Sequence, residues 1–203
     1  MRDTPRNASR VESGRAEAGP FLGATRVAHA FRDQHGWEHT LPSMGQIVIQ
    51  HCTDAAVIAD IHQAAVSVAY RPFFPGSPLP TAAELREEWV SALADATAVA
   101  LLATVDGHPA GSVLTRADRQ FPAGELHALH VLPEEWGHGI GSALHDGALD
   151  VLAGAGYDTA WLWVLAANDR ARRMYERRGW TPRADIARDY LGVQELRYSR
   201  LLP

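Results

Sequence analysis

A glycine-rich turn between a strand and a helix is the feature of this sequence that most restricts its fold. Three glycines alternate directly after the β-type run Glu125 to Val131 and directly before a run with helical apolar spacing. Glycine lets the backbone turn tightly and lets a ligand approach it, and the first N–H groups of a helix are unpaired and carry partial positive charge. The turn therefore predicts a site for a phosphate or pyrophosphate. The residues expected to hold it are Gly137, His138, Gly139, Ile140, Gly141 and Ser142.

The spacing of these glycines excludes two common nucleotide-binding loops. A dinucleotide fingerprint needs Gly or Ala at its last position, where this chain has Ser142 or Leu144. A P-loop needs Gly-Lys followed by Ser or Thr, and this turn has no lysine. Considered alone, the turn is explained equally well as a flexible connection without a ligand.

Hydrophobic periodicity divides the chain into one strand, two helices, three strands, a helix, a strand, a helix and two strands. Thr81 to Glu84 is a capping box that begins the second helix. This order predicts an α/β (α+β) fold, with a mixed, largely antiparallel central sheet, about four flanking helices and one β-helix-β crossover. The strands are predicted at residues 46–50, 98–105, 110–115, 125–131, 159–165 and 195–201, with one more extended piece after Trp180.

The N-terminal part of the chain differs from the rest. Residues 1–44 lack a sustained period and are interpreted as an extension that is disordered or loosely docked, and Met44 is a candidate start of translation. Residues 45–203 are predicted to form one domain, since 46% of the chain is hydrophobic, enough for a core.

Charge and cysteine content narrow the class of protein. The net charge of −5 offers no basic field for nucleic acid, and no apolar run is long enough to cross a membrane. The chain has a single cysteine and no basic-then-apolar pattern of a signal peptide at its N-terminus. A cytoplasmic protein is expected.

Two segments together resemble the GNAT superfamily of N-acetyltransferases. The first is Glu125-Leu126-His127-Ala128-Leu129-His130-Val131, followed by Pro133 and Gly-x-Gly-Ile-Gly. The second, from Leu162 to Trp180, combines a strand, an asparagine, a short helix with a tyrosine, and a Gly-aromatic pair. The resemblance covers residues 45–203 in element order and is sharp over 124–180. It implies an acetyltransferase with acetyl-CoA as co-substrate, and no metal is expected.

The resemblance also implies roles for particular residues. Leu129, His130 and Val131 would pair with the pantetheine arm like an extra strand, and a backbone N–H near Val131 would polarise the thioester carbonyl. Asn168 would hydrogen-bond the arm, and Tyr175 would point its phenol at the sulfur. The chain departs from the family at Trp136, where Gln or Arg is usual.

The chemistry of acetyl transfer suggests an acid and a base. An amine with a pKa near 10 must lose a proton before it attacks a thioester, and the departing thiolate gains from a proton donor. Tyr175 is predicted as this donor, although a core aromatic explains its position too. Glu125 is predicted as the base, with an exposed strand carboxylate as the plain alternative. A water chain ending on Glu125 or a nearby histidine is a further option.

Three other features leave alternatives open. Strict alternation predicts Leu126, Ala128 and His130 on one face of their strand and Glu125, His127, Leu129 and Val131 on the other. His127 and His130 are thus predicted on opposite faces, which prevents a shared metal ion. The aromatic segment Tyr70 to Pro75 either lines an acceptor pocket or fixes a loop to the core. The arginines of the helix near residue 170 are either a solvated face or lie close to the CoA 3′-phosphate. They are Arg170, Arg172, Arg173, Arg177 and Arg178.

The predicted function is transfer of an acetyl group from acetyl-CoA to a primary amine of a small molecule or peptide N-terminus. The alternative is a non-catalytic acyl-CoA-binding or regulatory module on the same fold, because fold does not guarantee turnover. Dimers are common in the superfamily, and the final strand, Glu195 to Leu201, is a candidate edge for a homodimer.

Overall fold

A seven-stranded sheet organises residues 45–203, the part of the chain that the computed structural model describes. The predicted extension, residues 1–44, lies outside the described residues. The strands are β1 (Ile47–His51), β2 (Val99–Val105), β3 (His108–Ala117), β4 (Gly124–Val131), β5 (Thr159–Leu165), β6 (Thr181–Tyr190) and β7 (Val193–Leu201). The helices are α1 (Ala55–Ala69), α2 (Ala82–Leu93), α3 (Ile140–Gly154) and α4 (Asp169–Arg177).

The strand order confirms the predicted fold class. The sheet runs β1-β2-β3-β4-β5-β7-β6, and each neighbouring pair is antiparallel except β4 and β5, which are parallel. Helix α3 connects this parallel pair, as the predicted β-helix-β crossover requires.

The last strand does not form an edge of the sheet, so the predicted dimerisation edge at Glu195 to Leu201 is wrong. Strand β7 pairs with β5 on one side and with β6 on the other. The cause is the β6–β7 hairpin, in which β6 becomes the outer strand. The edge strands of the described sheet are β1 and β6.

Helices cover both faces of the sheet and bury two apolar cores. On one face, α3 packs Leu144, Ala148 and Leu152 against the central strands, with Tyr175 of α4 in the same core. On the other face, α1 and α2 form a second core. Helix α2 begins as predicted, because Thr81 and Glu84 make both hydrogen bonds of a capping box. No helix within residues 45–203 is long and apolar enough to cross a membrane.

A bulge in β4 changes which side chains share a face. Leu114 of β3 pairs with Ala128, but the next residue, Thr115, pairs with Leu126, so His127 is an extra residue in β4. One extra residue shifts the two-residue alternation of a strand.

The core contacts follow this shifted alternation. Leu126 packs with Leu129 in the core beside α3, whereas Ala128 packs in the core beside α1 and α2. Because Leu126 faces α3, its neighbours Glu125 and His127 face the opposite side. The predicted faces of β4 are therefore wrong. The sequence pattern had placed Leu126, Ala128 and His130 together, opposite Glu125, His127, Leu129 and Val131.

Candidate functional site

A gap between β4 and β5 is the centre of the candidate site. The two parallel strands pair only at Gly124 with Ala160 and at Glu125 with Trp161. Beyond these pairs, residues 126–131 of β4 remain bonded to β3 but not to β5. The segment Leu129 to Val131 thus presents a backbone edge that an extended ligand can join like a strand.

The glycine turn lies at the end of this gap and has free N–H groups. Gly137 and Gly139 have φ of +89° and +86°, in the left-handed region that favours glycine. Within residues 45–203, no loop, turn or cap bond uses the N–H groups of residues 137–141. Gly139 is the N-cap of α3, and its carbonyl accepts from Ser142 and Ala143. These features suit a phosphate group.

Other predicted members of this turn differ in exposure. The Ile140 side chain is 1% exposed and belongs to the core, so only its backbone can contact a ligand. His138 is exposed, and its Nδ1 lies 3.4 Å from Glu135 Oε2. Gly141 faces Val131 and Leu129 across ordinary contact distance.

Trp136, the departure from the GNAT pattern, ties the turn to β4. Its indole Nε1 donates to the Val131 carbonyl at 2.8 Å. The guanidinium carbon of Arg170, in the first turn of α4, lies 4.3 Å from the centre of the indole ring. A tryptophan, a strand end and an arginine are therefore fixed together beside Gly137.

Asn168 and Tyr175 are placed by helix α4. Asn168 is the N-cap, and its Oδ1 accepts from the Ala171 N–H at 3.1 Å, which leaves the amide NH₂ for a ligand. Tyr175 is 8% exposed and packs between the rings of His145 and Trp180. No residue in 45–203 is hydrogen-bonded to its hydroxyl. Burial, and then the neighbouring Tyr70, raises the pKa of Tyr175, so its phenol stays protonated.

Glu125 lies in a network of three residues at the closed end of the gap, on the face of β4 opposite α3. Its carboxylate is 5% exposed, with Oε2 2.6 Å from Arg116 Nε and Oε1 3.1 Å from His127 Nδ1. Burial acts to raise the pKa of Glu125, but the hydrogen bonds from His127 and Arg116 outweigh it and lower the pKa. Glu125 is therefore a firmly held anion and a weak base. The sequence pattern did not indicate its partner Arg116.

A second group of polar and aromatic residues lies near Tyr175. Tyr70, at the end of α1, has a pKa raised to about 12 by burial and by Glu195 and Tyr190. Glu195 is 8% exposed and binds Arg188 through Oε2 at 2.6 Å. Phe74 is buried, and its ring meets the edge of Tyr190. The burial of Phe74 agrees with a segment that fixes a loop to the core, whereas a role of this segment in an acceptor pocket stays a prediction.

A stacked pair of histidines lies on the side of the sheet that α1 and α2 cover. The rings of His62, from α1, and His130 are 4.0 Å apart, and Trp89 Nε1 donates to His62 Nδ1 at 3.2 Å. His130 Nδ1 and the hydroxyl of its strand partner Ser112 are buried without a partner among residues 45–203. Because His130 faces α1, it shares a face with His127, and the predicted opposite placement is wrong.

We expect this pair to make the stability of the protein sensitive to acid. Burial, and then His127, lowers the pKa of His62 to about 4, whereas an unfolded histidine titrates near 6.5. Below about pH 6.5 the unfolded chain binds more protons, so stability falls as the pH is lowered towards about 4. We expect His62 to account for a loss of about 3 kcal/mol in unfolding free energy between pH 7 and pH 4.

Urea unfolding at pH 7 and pH 4 measures this loss. His62→Gln keeps an acceptor for Trp89 and should show a clearly smaller loss than the wild type. His51→Gln removes an exposed histidine and should behave like the wild type. An equal loss in His62→Gln and in the wild type would contradict the assignment.

Comparison with known proteins identifies the family. The model of the Acetyltransferase (GNAT) family matches residues 63–180, more than half of the chain. The chain belongs to the GNAT acetyltransferase family. The GNAT family uses acetyl-CoA, and the unpaired turn amides and the open edge of β4 fit this substrate. Residues 45–203 contain no cluster of three or more histidine, cysteine or acidic side chains suited to a metal ion.

Related sequences match only part of their length. A mycothiol acetyltransferase of Beutenbergia cavernae is 49% identical over 59 residues, 29% of this chain and 20% of that protein. That of Streptomyces griseus is 40% identical over 80 residues, 39% of this chain and 26% of that protein. The chain thus spans about a fifth to a quarter of these relatives.

Solved structures share the fold at low sequence identity. A putative GNAT acetyltransferase of Desulfovibrio desulfuricans has a TM-score of 0.61 and 18% identity, covering 77% of this chain and 99% of the other. The PaiA N-acetyltransferase of Thermoplasma acidophilum, in complex with coenzyme A, has a TM-score of 0.60 and 16% identity, covering 75% and 98%. At these identities the likeness concerns the fold alone.

Proposed function

We propose that this GNAT protein transfers the acetyl group of acetyl-CoA to a primary amine of a small molecule or a peptide N-terminus. The observation that carries the proposal is that a proton donor and a possible proton acceptor lie on the two sides of the sheet at the gap between β4 and β5. The protonated Tyr175 phenol lies on the α3–α4 side of the sheet, and the Glu125–His127 pair lies on the α1–α2 side. A direct attack on a thioester needs both an acid and a base.

The proposed binding of acetyl-CoA uses mainly backbone groups. The N–H groups of residues 137–141 take the pyrophosphate, and Ser142, whose N–H already donates to the Gly139 carbonyl, contributes its hydroxyl. The edge of Leu129 to Val131 pairs with the pantetheine arm, and the Asn168 amide donates to it. The Val131 carbonyl already accepts from Trp136, so the arm shares that oxygen or uses its neighbours. These roles are supported by the unpaired donors and by the missing β4–β5 pairs.

The proposed reaction conserves protons. The neutral amine attacks the thioester carbonyl carbon, and a backbone N–H near Val131 stabilises the oxyanion that forms. The carbon–sulfur bond then breaks, and the thiolate takes a proton from Tyr175. The proton lost by the amine goes to the base, and solvent exchange restores both groups.

We assign the base role to His127 and a positioning role to Glu125. The carboxylate is occupied by Arg116 and His127, whereas the His127 side chain is 37% exposed and can reach an acceptor. Nδ1 lies 3.1 Å from Glu125 Oε1 and 3.1 Å from Arg116 Nη2. We assign the tautomer in which Nδ1 donates to the carboxylate, because it leaves the lone pair of Nε2 for the amine proton. This assignment develops the earlier option of a nearby histidine.

The acceptor side is lined by aromatic rings and one buried carboxylate. Tyr70 and Tyr190 flank Glu195, whose Oε1 receives no hydrogen bond from the described part of the chain. This surface suits a compact amine with further polar groups. The related mycothiol acetyltransferases are matched over too little of their length to assign their acceptor to this chain. A homodimer and a cytoplasmic location stay predictions.

Release of free CoA thiol with a broad amine panel tests the function. We expect turnover with at least one amine, and we expect His127→Gln to lower kcat about 100-fold or more while the KM for acetyl-CoA changes little. His108→Gln, an exposed histidine of β3, is the matched control. Binding of acetyl-CoA without thiol release for any amine would favour the non-catalytic alternative. Full activity of His127→Gln would return the base role to Glu125 or water.

A further inference from the structure

Helix α4 carries four arginines and its C-cap, Arg178, is a fifth, and their contacts separate these five residues into two groups. Arg172 donates to the Tyr198 hydroxyl and to the Ala166 carbonyl, both at 3.0 Å. Arg178 pairs with Asp146 at 2.7 Å, and Arg173 approaches Asp169 at 3.8 Å. For the other two, Arg170 and Arg177, no carboxylate within residues 45–203 forms an ion pair.

Arg170 occupies a position that helix stability does not explain. It lies in the first turn of α4, where the helix dipole disfavours a cation. Its guanidinium instead stacks on Trp136, which is itself bonded to the end of β4. The stack fixes an unpaired positive charge next to Gly137 and the free amides of the turn.

Arg177 lies seven residues later and therefore on the same face of α4. Together with Ser142, Met174 and Arg178 it lines a cleft of about 420 Å³ between α4 and the start of α3. The dipole favours a cation in this last turn, but that effect does not require the side chain to face Ser142. Two unpaired arginines thus stand on either side of the phosphate-binding turn.

We propose that Arg170 and Arg177 form a two-point phosphate clamp for CoA. Arg170 binds the pyrophosphate and supplies the side-chain donors that the Gln or Arg usual at position 136 would offer, where this chain has tryptophan. Arg177 binds the 3′-phosphate of the adenosine in the cleft beside Ser142. A guanidinium suits both tasks because its fork of donors matches phosphate oxygens. The clamp rests on the proposed binding of acetyl-CoA.

Calorimetric titration with CoA and with 3′-dephospho-CoA tests each arm of the clamp. For Arg177→Ala we expect the Kd for CoA to rise about tenfold, with the Kd for 3′-dephospho-CoA unchanged. For Arg170→Ala we expect both Kd values to rise about tenfold, and the loss should shrink at high salt. Arg173→Ala is the matched control, since it removes an exposed arginine of the same helix, and both Kd values should stay within about twofold.

The possible results separate the clamp from the proposed function. Wild-type protein that binds neither ligand would overturn the acetyl-CoA site and the clamp together. Wild-type binding with no change in either variant would overturn the clamp alone. An equal loss for both ligands in Arg177→Ala would overturn the assignment of Arg177 to the 3′-phosphate. Melting temperatures of all three variants close to the wild type would confirm that the differences arise from binding.

Discussion

Tyr175→Phe is expected to lower kcat by a factor of about 100 to 1,000, with little change in the Kd for acetyl-CoA. The substitution removes only a hydroxyl, and this hydroxyl has no hydrogen-bond partner among residues 45–203, so the packing against His145 and Trp180 is kept. What is lost is the proposed proton for the departing thiolate. Steady-state thiol release, together with calorimetric binding of acetyl-CoA, separates the chemical step from binding.

The pH dependence adds a second check on this role. Burial raises the pKa of Tyr175, so the phenol remains a donor up to at least about pH 10, where an ordinary tyrosine ionises. The ratio of wild-type to variant kcat should therefore stay constant between pH 7 and pH 9. Tyr157→Phe removes a hydroxyl elsewhere and should retain wild-type kcat. A Tyr175→Phe enzyme with unchanged kcat would return Tyr175 to the role of a core aromatic.

Local sequence signals predicted the elements of the fold well. The capping box at Thr81 and the glycine turn at residues 137–141 depend on neighbouring residues, and both occur where they were expected. The hydrophobic periodicity predicted the order of strands and helices along the chain and the single β-helix-β crossover. The edge at β7 was wrong because it depends on where β6 lies, and a hairpin partner can join either side of a strand.

The faces of β4 show a more important limit of sequence patterns. Strict alternation placed His127 and His130 on opposite faces, but a bulge is fixed by the pairing of β4 with β3, which periodicity within β4 does not report. Periodicity within one strand also does not report the tertiary partners of Glu125 and of His130. Arg116 and His62 come from other elements and meet them only in the folded chain. The resemblance to GNAT proteins predicted which residues belong to the site, and the tertiary contacts of each residue suggest its chemical role.

Gly139→Glu is expected to weaken CoA binding at least 100-fold. Gly139 has φ of +86°, a conformation that costs a residue with a side chain about 1–2 kcal/mol. The added carboxylate would also stand at the start of α3, where the free amides are proposed to take the pyrophosphate, so two negative groups would compete for one site. Calorimetric titration with CoA measures the loss.

Gly156→Glu provides a matched control for backbone strain. Gly156 follows the other end of α3 and also has φ of +86°, and an added Cβ meets no atom within 4 Å at either position. Both variants share the cost of the left-handed conformation. In urea, Gly156→Glu should lose somewhat more unfolding free energy than Gly139→Glu, because the helix dipole disfavours a carboxylate at the C-terminal end of α3 and favours one at its N-terminal end. Only Gly139→Glu should lose CoA binding, because only that end of the helix faces the gap between β4 and β5. Equal binding by the two variants would mean that the glycine turn connects a strand to a helix without holding a phosphate.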